Sequence, residues 1–348
     1  MRDEGERAGG AAARDRRAWR LCVAPMMDRT DRHCRFFHRL LAPHARLYTE
    51  MVHARAVLER DPRSLLAFDP AERPLALQLG GGDPDELARA AEIAARMGYD
   101  EVDLNCGCPS SRVQRGAFGA VLMREPSRVA ACVRAMAAAS GLEVTVKCRI
   151  GIDHEDEDAF LDRFVDIVAE AGCRVFLVHA RKAWLSGLSP EENRRIPPLV
   201  HERVHRLAAR RPDLVVVLNG GLRNPTVDVR HLGYVDGLMI GRAAYDEPWL
   251  LTAYERELFG APPAVDRALV VARMVDYARR MAGAQVPIAA IFRPMLGLFS
   301  GLPGARRWRR MLSERMFSPD ATPERLAEAL AAVGHEDPAA TSVHAGIL

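Results

Sequence analysis

Eight short runs of β-branched or apolar residues, each bounded by turn residues, most constrain what this chain can fold into. They are LCVAPM (21–26), RLYTEM (46–51), PLALQLG (74–80), EVDLN (101–105), EVTVKCRI (143–150), RVFLVHA (174–180), LVVVLNGG (214–221) and DGLMIGR (236–242). Helical patterns lie between them: DPDELARAAEIAARMG offers Asp83 as N-cap, Pro84 at the first helical position, Glu86 to complete a capping box and Gly98 as the stop. Strand then helix, repeated, calls for a parallel sheet with helical crossovers. Eight strands are the number that closes a (β/α)8 TIM barrel. The alternative is an open doubly wound sheet. Polar residues stand at the C-terminal ends of these runs, where a barrel gathers its chemistry, and this favours closure.

After Gly260 the pattern changes to helical segments with no strands between them, VDRALVVARMVDYARRMAGA, PIAAIFRPMLGLFSGL, GARRWRRMLSERMF and TPERLAEALAAVG. The expected organisation is a leader over 1–19, a barrel over 20–260, a helical bundle over 261–335 and a tail over 336–348. No apolar run approaches the roughly 20 residues of a membrane-spanning helix, and the charged first 19 residues lack the apolar core of a secretory signal. The leader is therefore read as disordered. The seven scattered cysteines lack the spacing of a disulfide framework, which fits a reducing cytoplasm.

Gln78, Asn105, Lys147, Arg149, His179 and Asn219 are unusual inside apolar strands, because a buried polar group without a partner costs a few kcal/mol. A ligand at the barrel mouth would supply partners. Asn219-Gly220-Gly221 after the seventh run and Gly241-Arg242 after the eighth occupy the loops that often bind phosphate in barrels. A phosphate-bearing cofactor follows. Lys147 could form a Schiff base, pair with an acid, or stand beside the pyrimidine edge of a flavin. Gln78 favours the flavin, since an amide both donates to and accepts from such a ring. His179 is either a satisfied core histidine or a ligand contact.

In DLNCGCPSSRVQRGAFGAVLM, two cysteines stand one residue apart before a stretch with two further glycines that reads as a loop. A zinc site needs about four ligands, and no second Cys/His pair lies at suitable spacing, so no metal is expected. An unperturbed thiol, with a pKa of about 8.5, is mostly protonated at neutral pH and can donate a proton. Cys108, further along the loop, is the candidate acid and Cys106 a packing residue. Cys22, Cys34, Cys132, Cys148 and Cys173 read as small buried hydrophobes. Gly107, Gly116 and Gly119 would let the loop move.

The segments APMMDRTDRHCRFFHRLL, LYTEM, QLGG, DLNCGCPSSRVQRGAFGAVLM, VKCRIG, VHARKAWLSGLSPEENRRIPPL, LNGG, GLMIGRAAYDEPWLL and MLGLFSGLPGARRWRRMLSE together resemble the bacterial tRNA-dihydrouridine synthases, A type, in order from about Leu21 to Glu314. The resemblance implies an FMN enzyme that reduces D-loop uridines of tRNA, at positions 20 and 20a, with NADPH or NADH reducing the flavin first. It implies that Pro25, Met26, Met27, Gln78, Lys147 and His179 line the flavin, while Asn219, Gly220, Gly221, Gly241 and Arg242 hold its phosphate end. Hydride would pass to C6 of the uracil and Cys108 would protonate C5. Asn105, Gly107 and Arg149 would hold the uracil.

A uridine inside folded tRNA must be extruded while the protein grips the surrounding phosphates. Arginines cluster at 194, 195, 203, 206, 210 and 211, and again at 306, 307, 309, 310 and 315, the second group with Trp308 interleaved. Among the resemblance's substrate-binding positions are Glu191, Arg194, Arg306, Arg307, Arg309 and Arg310. The sequence departs from the family pattern at Arg293-Pro294, where Arg-His is expected, and at Glu191, where a basic residue is more usual. A monomer is expected. The competing readings are an FMN barrel acting on a free pyrimidine, a Schiff-base lyase using Lys147, and an RNA-binding protein on a barrel without catalysis.

Overall fold

The structure is a computed structural model that describes residues 15–155, 158–260, 265–282, 286–315 and 321–333. The leader up to residue 14 and the proposed tail lie outside the described residues. Nine strands form a single parallel sheet: β1 (Leu21–Val23), β2 (Arg46–Tyr48), β3 (Val52–His53), β4 (Leu75–Gly80), β5 (Glu101–Cys106), β6 (Glu143–Arg149), β7 (Val175–His179), β8 (Val215–Asn219) and β9 (Gly237–Ile240). The order runs β2-β1-β9-β8-β7-β6-β5-β4, and β2 pairs again with β4. That pairing closes the TIM barrel. The two-residue β3 extends one edge of β4 and was too short to read as a ninth run.

Alternation fixes which side chains enter the barrel. Along β5, Glu101, Asp103 and Asn105 share one face. The Tyr48 hydroxyl, on β2, donates to Glu101 Oε1 at 2.8 Å although β4 lies between the two strands, so this face is the interior. Val102, Leu104 and Cys106 take the other face and are fully buried. The interior is divided in character. Cys22, Val175, Leu177, Val215, Val217 and Met239 form an apolar cluster, whereas Gln78, Asp103 and Thr145 stand in register across β4, β5 and β6.

The helix Pro84–Met97 starts on Asp83, whose carboxylate accepts from Asp85 and Glu86 N–H at 2.9 Å, and stops at Gly98 with φ +89°. Glu86 does not complete a capping box; its carboxylate instead accepts from Arg55 at 2.7 Å. A larger correction concerns the arginines at 203, 206, 210 and 211. They stand on and just after the helix His201–Arg210, opposite Asp158, Asp162 and Asp166, which are spaced four residues apart along the helix Asp158–Glu170. Arg203 Nε lies 2.7 Å from Asp158, Arg210 Nη2 2.9 Å from Asp166 and Arg211 Nη1 2.6 Å from Asp166. This run is an ion-pair ladder between two barrel helices, and its charge is matched within the protein.

The chain divides into two compact units. The first comprises the described residues within Met1–Asp28 and His44–Gly241, and the second those within Arg29–Pro43 and Arg242–Leu348. The helix Arg32–Leu41 thus groups with the C-terminal helices. Its Phe36 stacks on Tyr277 with centroids 4.1 Å apart, and His33 Nδ1 lies 2.8 Å from the Tyr277 hydroxyl. The segment PIAAIFRPMLGLFSGL forms a short helix, Ile288–Phe292, and then a 3-10 turn, Arg293–Gly297, as Pro294 lacks the N–H that a continuing helix needs. On the helix Ala305–Arg315, Trp308 is fully buried, with its indole N–H donating to Met295 O at 2.8 Å. Arg306, Arg307, Arg309 and Arg310 are all exposed. None of the four makes an ion pair among the described residues.

Candidate active site

Cys108 is the one cysteine of the seven that is not buried. Cys106 faces away from the barrel interior, and burial pushes its thiol far above the ordinary range. The two neighbours therefore have different environments. The Cys108 backbone is fixed on both sides, because its N–H donates to Asn105 Oδ1 at 3.0 Å and its carbonyl accepts from Ala120 N–H at 2.9 Å. Gly107 N–H also donates to Asn105 Oδ1, at 3.1 Å. A side-chain atom that accepts from two N–H groups must be the oxygen, so Asn105 Nδ2 faces Gln78 and donates to its Oε1 at 2.9 Å. Gln78 Nε2 in turn donates to Asp103 Oδ2 at 2.7 Å.

The stretch after Cys108 is more ordered than its glycines suggested. It forms a short helix, Ser111–Arg115, and a 3-10 helix, Gly119–Arg124. Gly119 has φ +76°, and a Cβ there would lie 2.6 Å from the Cys108 carbonyl oxygen and 2.4 Å from Val113 Cγ1. Glycine is required by this close approach, and the hinge expected at that position is not needed to explain it. Gln114 Nε2 donates to Pro109 O at 2.8 Å and to Leu185 O at 2.6 Å, stapling the cysteine segment to the one after β7.

Lys147 and Arg149 extend from the end of β6. Lys147 Nζ donates to Asn219 Oδ1 at 3.2 Å, and Asn219 Nδ2 donates to Met239 O at 2.7 Å. Burial and the neighbouring Arg149 charge pull the Lys147 ammonium below its usual range. The Arg149 guanidinium is buried. Its Nε donates to Gly107 O at 3.0 Å and its Nη1 to Asn193 O at 3.0 Å and Lys182 O at 3.3 Å. It thus joins the cysteine segment to the residues following β7. There Asn193, fully buried, grips Trp184 at N–H and carbonyl, at 2.7 and 2.9 Å. Glu191 and Arg194 are exposed on the same segment.

At the end of β8, Gly220 and Gly221 have φ +115° and +78°. A Cβ on Gly221 would lie 2.4 Å from Leu199, and one on Gly220 3.3 Å from the His179 ring. Beside them, the nearest atom to a Cβ on Gly241 would be Asn219 Nδ2 at 3.9 Å. A backbone turned this way leaves N–H groups accessible to an anion. Pro25 and Met26 are partly exposed after β1 and Met27 is 54% exposed. Arg242, exposed, opens the helix Arg242–Asp246 of the second unit. Backbone N–H groups, an ammonium and two side-chain amides at the strand ends form a donor set that fits a phosphate-bearing ring cofactor such as FMN.

Register brings Asn105 beside Lys147, Arg149 beside His179 and His179 beside Asn219. Asp103, Gln114 and Asn193 were not among the expected site residues. Asp103 could have been found from the E-x-D-x-N spacing of β5, which puts it on the same face as Asn105.

The profile of the dihydrouridine synthase (Dus) family matches residues 22–333. The chain belongs to this family. It is 54% identical over 302 residues to the tRNA-dihydrouridine(20/20a) synthase of Xanthomonas campestris pv. campestris, covering 87% of this chain and 90% of that one. It is 49% identical to the protein of the same name from Xylella fastidiosa strain 9a5c, covering 92% and 94%. With that of Vibrio parahaemolyticus it shares 49% identity, covering 91% and 98%. Dihydrouridine synthases are flavin-dependent oxidoreductases that reduce uridine in tRNA. No helix among the described residues is long and apolar enough to cross a membrane.

Proposed function

We propose that this dihydrouridine synthase acts in the cytoplasm as a monomer, reducing uridines 20 and 20a of tRNA to 5,6-dihydrouridine with FMN and NADPH. The observation that carries the reading is Cys108: the one cysteine with exposed surface, its backbone hydrogen-bonded to Asn105 at the end of a barrel strand. Gln78, Lys147, His179 and Pro25 to Met27 would hold the FMN ring, and Asn219 to Gly221, Gly241 and Arg242 its phosphate. The chemistry supplied by bound FMN is hydride delivery to C6 of the uracil. Cys108 then gives its proton to C5, where negative charge develops. Asn105 has a second Nδ2 hydrogen to offer the base. Arg149 acts largely through the loops it joins, since Nε and Nη1 are already spent on carbonyls. The direct test is dihydrouridine mapping in tRNA from a deletion strain, where modification persisting at both 20 and 20a would exclude this assignment.

The exposed Arg306, Arg307, Arg309 and Arg310 are proposed to contact tRNA phosphates, together with Arg194 and the segment carrying Glu191. Reversing Arg306 and Arg310 to Glu is expected to weaken tRNA binding. It should also reduce the slope of log affinity against log salt by about 1.4 to 1.8, as roughly 0.7 to 0.9 is lost for each of the two phosphate contacts. Flavin content should not change. An unaltered salt slope in a titration at several ionic strengths would exclude these two contacts.

A further inference from the structure

The hydrogen-bond chain that begins at the Cys108 amide does not end at Asp103. Asp103 Oδ1 lies 2.9 Å from the Thr145 hydroxyl, and that same hydroxyl lies 3.0 Å from Glu101 Oε1. Both carboxyl groups are fully buried. A hydroxyl has a single hydrogen to donate. It can serve one carboxylate, and its contact with the other is attractive only if that group carries a proton and donates it to the hydroxyl oxygen.

The remaining contacts decide which group is neutral. Glu101 Oε2 accepts from the Trp19 indole N–H at 2.8 Å and pairs with Arg46 Nη1 at 3.1 Å, and Oε1 accepts from the Tyr48 hydroxyl at 2.8 Å. Asp103 has one certain donor, Gln78 Nε2. From β6 it faces Thr145 and Lys147, from β4 Gln78, and on its own strand Glu101, and no ion pair links it to Lys147 among the described residues. Negative charge belongs on Glu101, beside a guanidinium and three donors. Burial and the Glu101 charge push the Asp103 carboxyl upward, in agreement.

We propose that Asp103 is a neutral carboxylic acid in the resting protein and a positioning residue for the Cys108 segment. This assignment of a role rests on the dihydrouridine synthase reading above. Every hydrogen bond then points one way: Cys108 and Gly107 N–H to Asn105, Asn105 to Gln78, Gln78 to Asp103, Asp103 through Thr145 to the Glu101–Arg46 pair. The proton on Asp103 has a second consequence. An ionised Asp103 would counter the charge of Lys147 from inside the barrel, whereas a neutral one leaves that charge for an anionic group at the mouth.

Asp103→Asn reproduces the neutral acid, with its carbonyl toward Gln78 and its N–H toward Thr145. Asp103→Ala removes both contacts. The Asn variant is expected to stay within about threefold of the unaltered protein in dihydrouridine formation, and the Ala variant to fall roughly a hundredfold while keeping bound flavin. Equal, large losses in both would overturn the proposal. Infrared spectroscopy on the flavin-loaded protein with carbon-13 aspartate, at neutral pH and without tRNA, reads the protonation state independently of turnover. An isotope-shifted C=O stretch of a protonated acid, lost in Asp103→Asn, supports the proposal, and its absence in the unaltered protein refutes it. That measurement holds even if Asp103→Ala does not fold. Failure of the unaltered protein to form dihydrouridine would count against the functional reading and leave the infrared result standing.

Discussion

Replacing Cys108 by alanine is expected to leave a yellow protein that still oxidises NADPH but forms dihydrouridine on the order of a hundredfold to ten-thousandfold more slowly. The selectivity follows from what holds this residue. Its N–H rests on Asn105 Oδ1 and its carbonyl on Ala120 N–H, so the segment keeps its path when the side chain is shortened. Lys147, Gln78 and the paired glycines Gly220 and Gly221 make no hydrogen bond to the thiol among the described residues, so flavin retention should be unaffected. What disappears is the acid proposed to neutralise charge at C5. Cys106→Ala is the control, since that thiol is buried behind the strand and should affect stability more than turnover. Measuring flavin content, NADPH oxidation and dihydrouridine on the same preparations separates these effects, and unchanged product yield in Cys108→Ala would remove the residue from the reaction.

The barrel was legible because each strand obeys a local rule: a short β-branched run, a period of two and turn residues at both ends. What escaped depended on partners distant in sequence. Arg203, Arg206 and Arg210 read as a basic patch, yet their acids sit on the preceding helix more than 40 residues upstream in sequence, at Asp158, Asp162 and Asp166. Trp308 stands interleaved among arginines in the sequence, but Ala305, Trp308 and Leu312 fall on one helical face and are all buried. That stripe was readable. The glycines after Cys108 were taken for freedom of movement, whereas Gly119 has no room for a Cβ. Composition cannot distinguish a hinge from a close contact. Among the candidate site residues, Gln78, Asn105 and Lys147 were singled out because polar groups at strand ends stand out. Asp103 and Thr145, one turn of the alternation deeper, look like ordinary strand residues until the register puts them together.

Replacing Arg46 by methionine is expected to cost about 3 to 5 kcal/mol of stability, because it leaves Glu101 buried without its cation. For a unit of this size that corresponds to a fall in Tm on the order of 10 °C. Methionine preserves much of the packing over the Trp19 ring, which the guanidinium now covers at 4.9 Å, so the loss should come mainly from charge. Its pH dependence follows from the direction of the Glu101 shift. Burial holds this carboxyl above its ordinary range, and Arg46 is the largest influence pulling it back down. Without Arg46 the folded-state value rises further. A carboxyl whose folded value exceeds its unfolded value binds more protons when folded, so stability falls as pH rises between the two. The difference between the two proteins should therefore be greatest at and above neutral pH and shrink as acid protonates Glu101 in both. Thermal melts across that range test this, and a small or pH-independent difference would mean that Glu101 does not carry the charge. A protonated Glu101 would also compete for the Thr145 hydroxyl on which Asp103 leans, so Arg46→Met should slow dihydrouridine formation from the far end of the chain that positions Cys108.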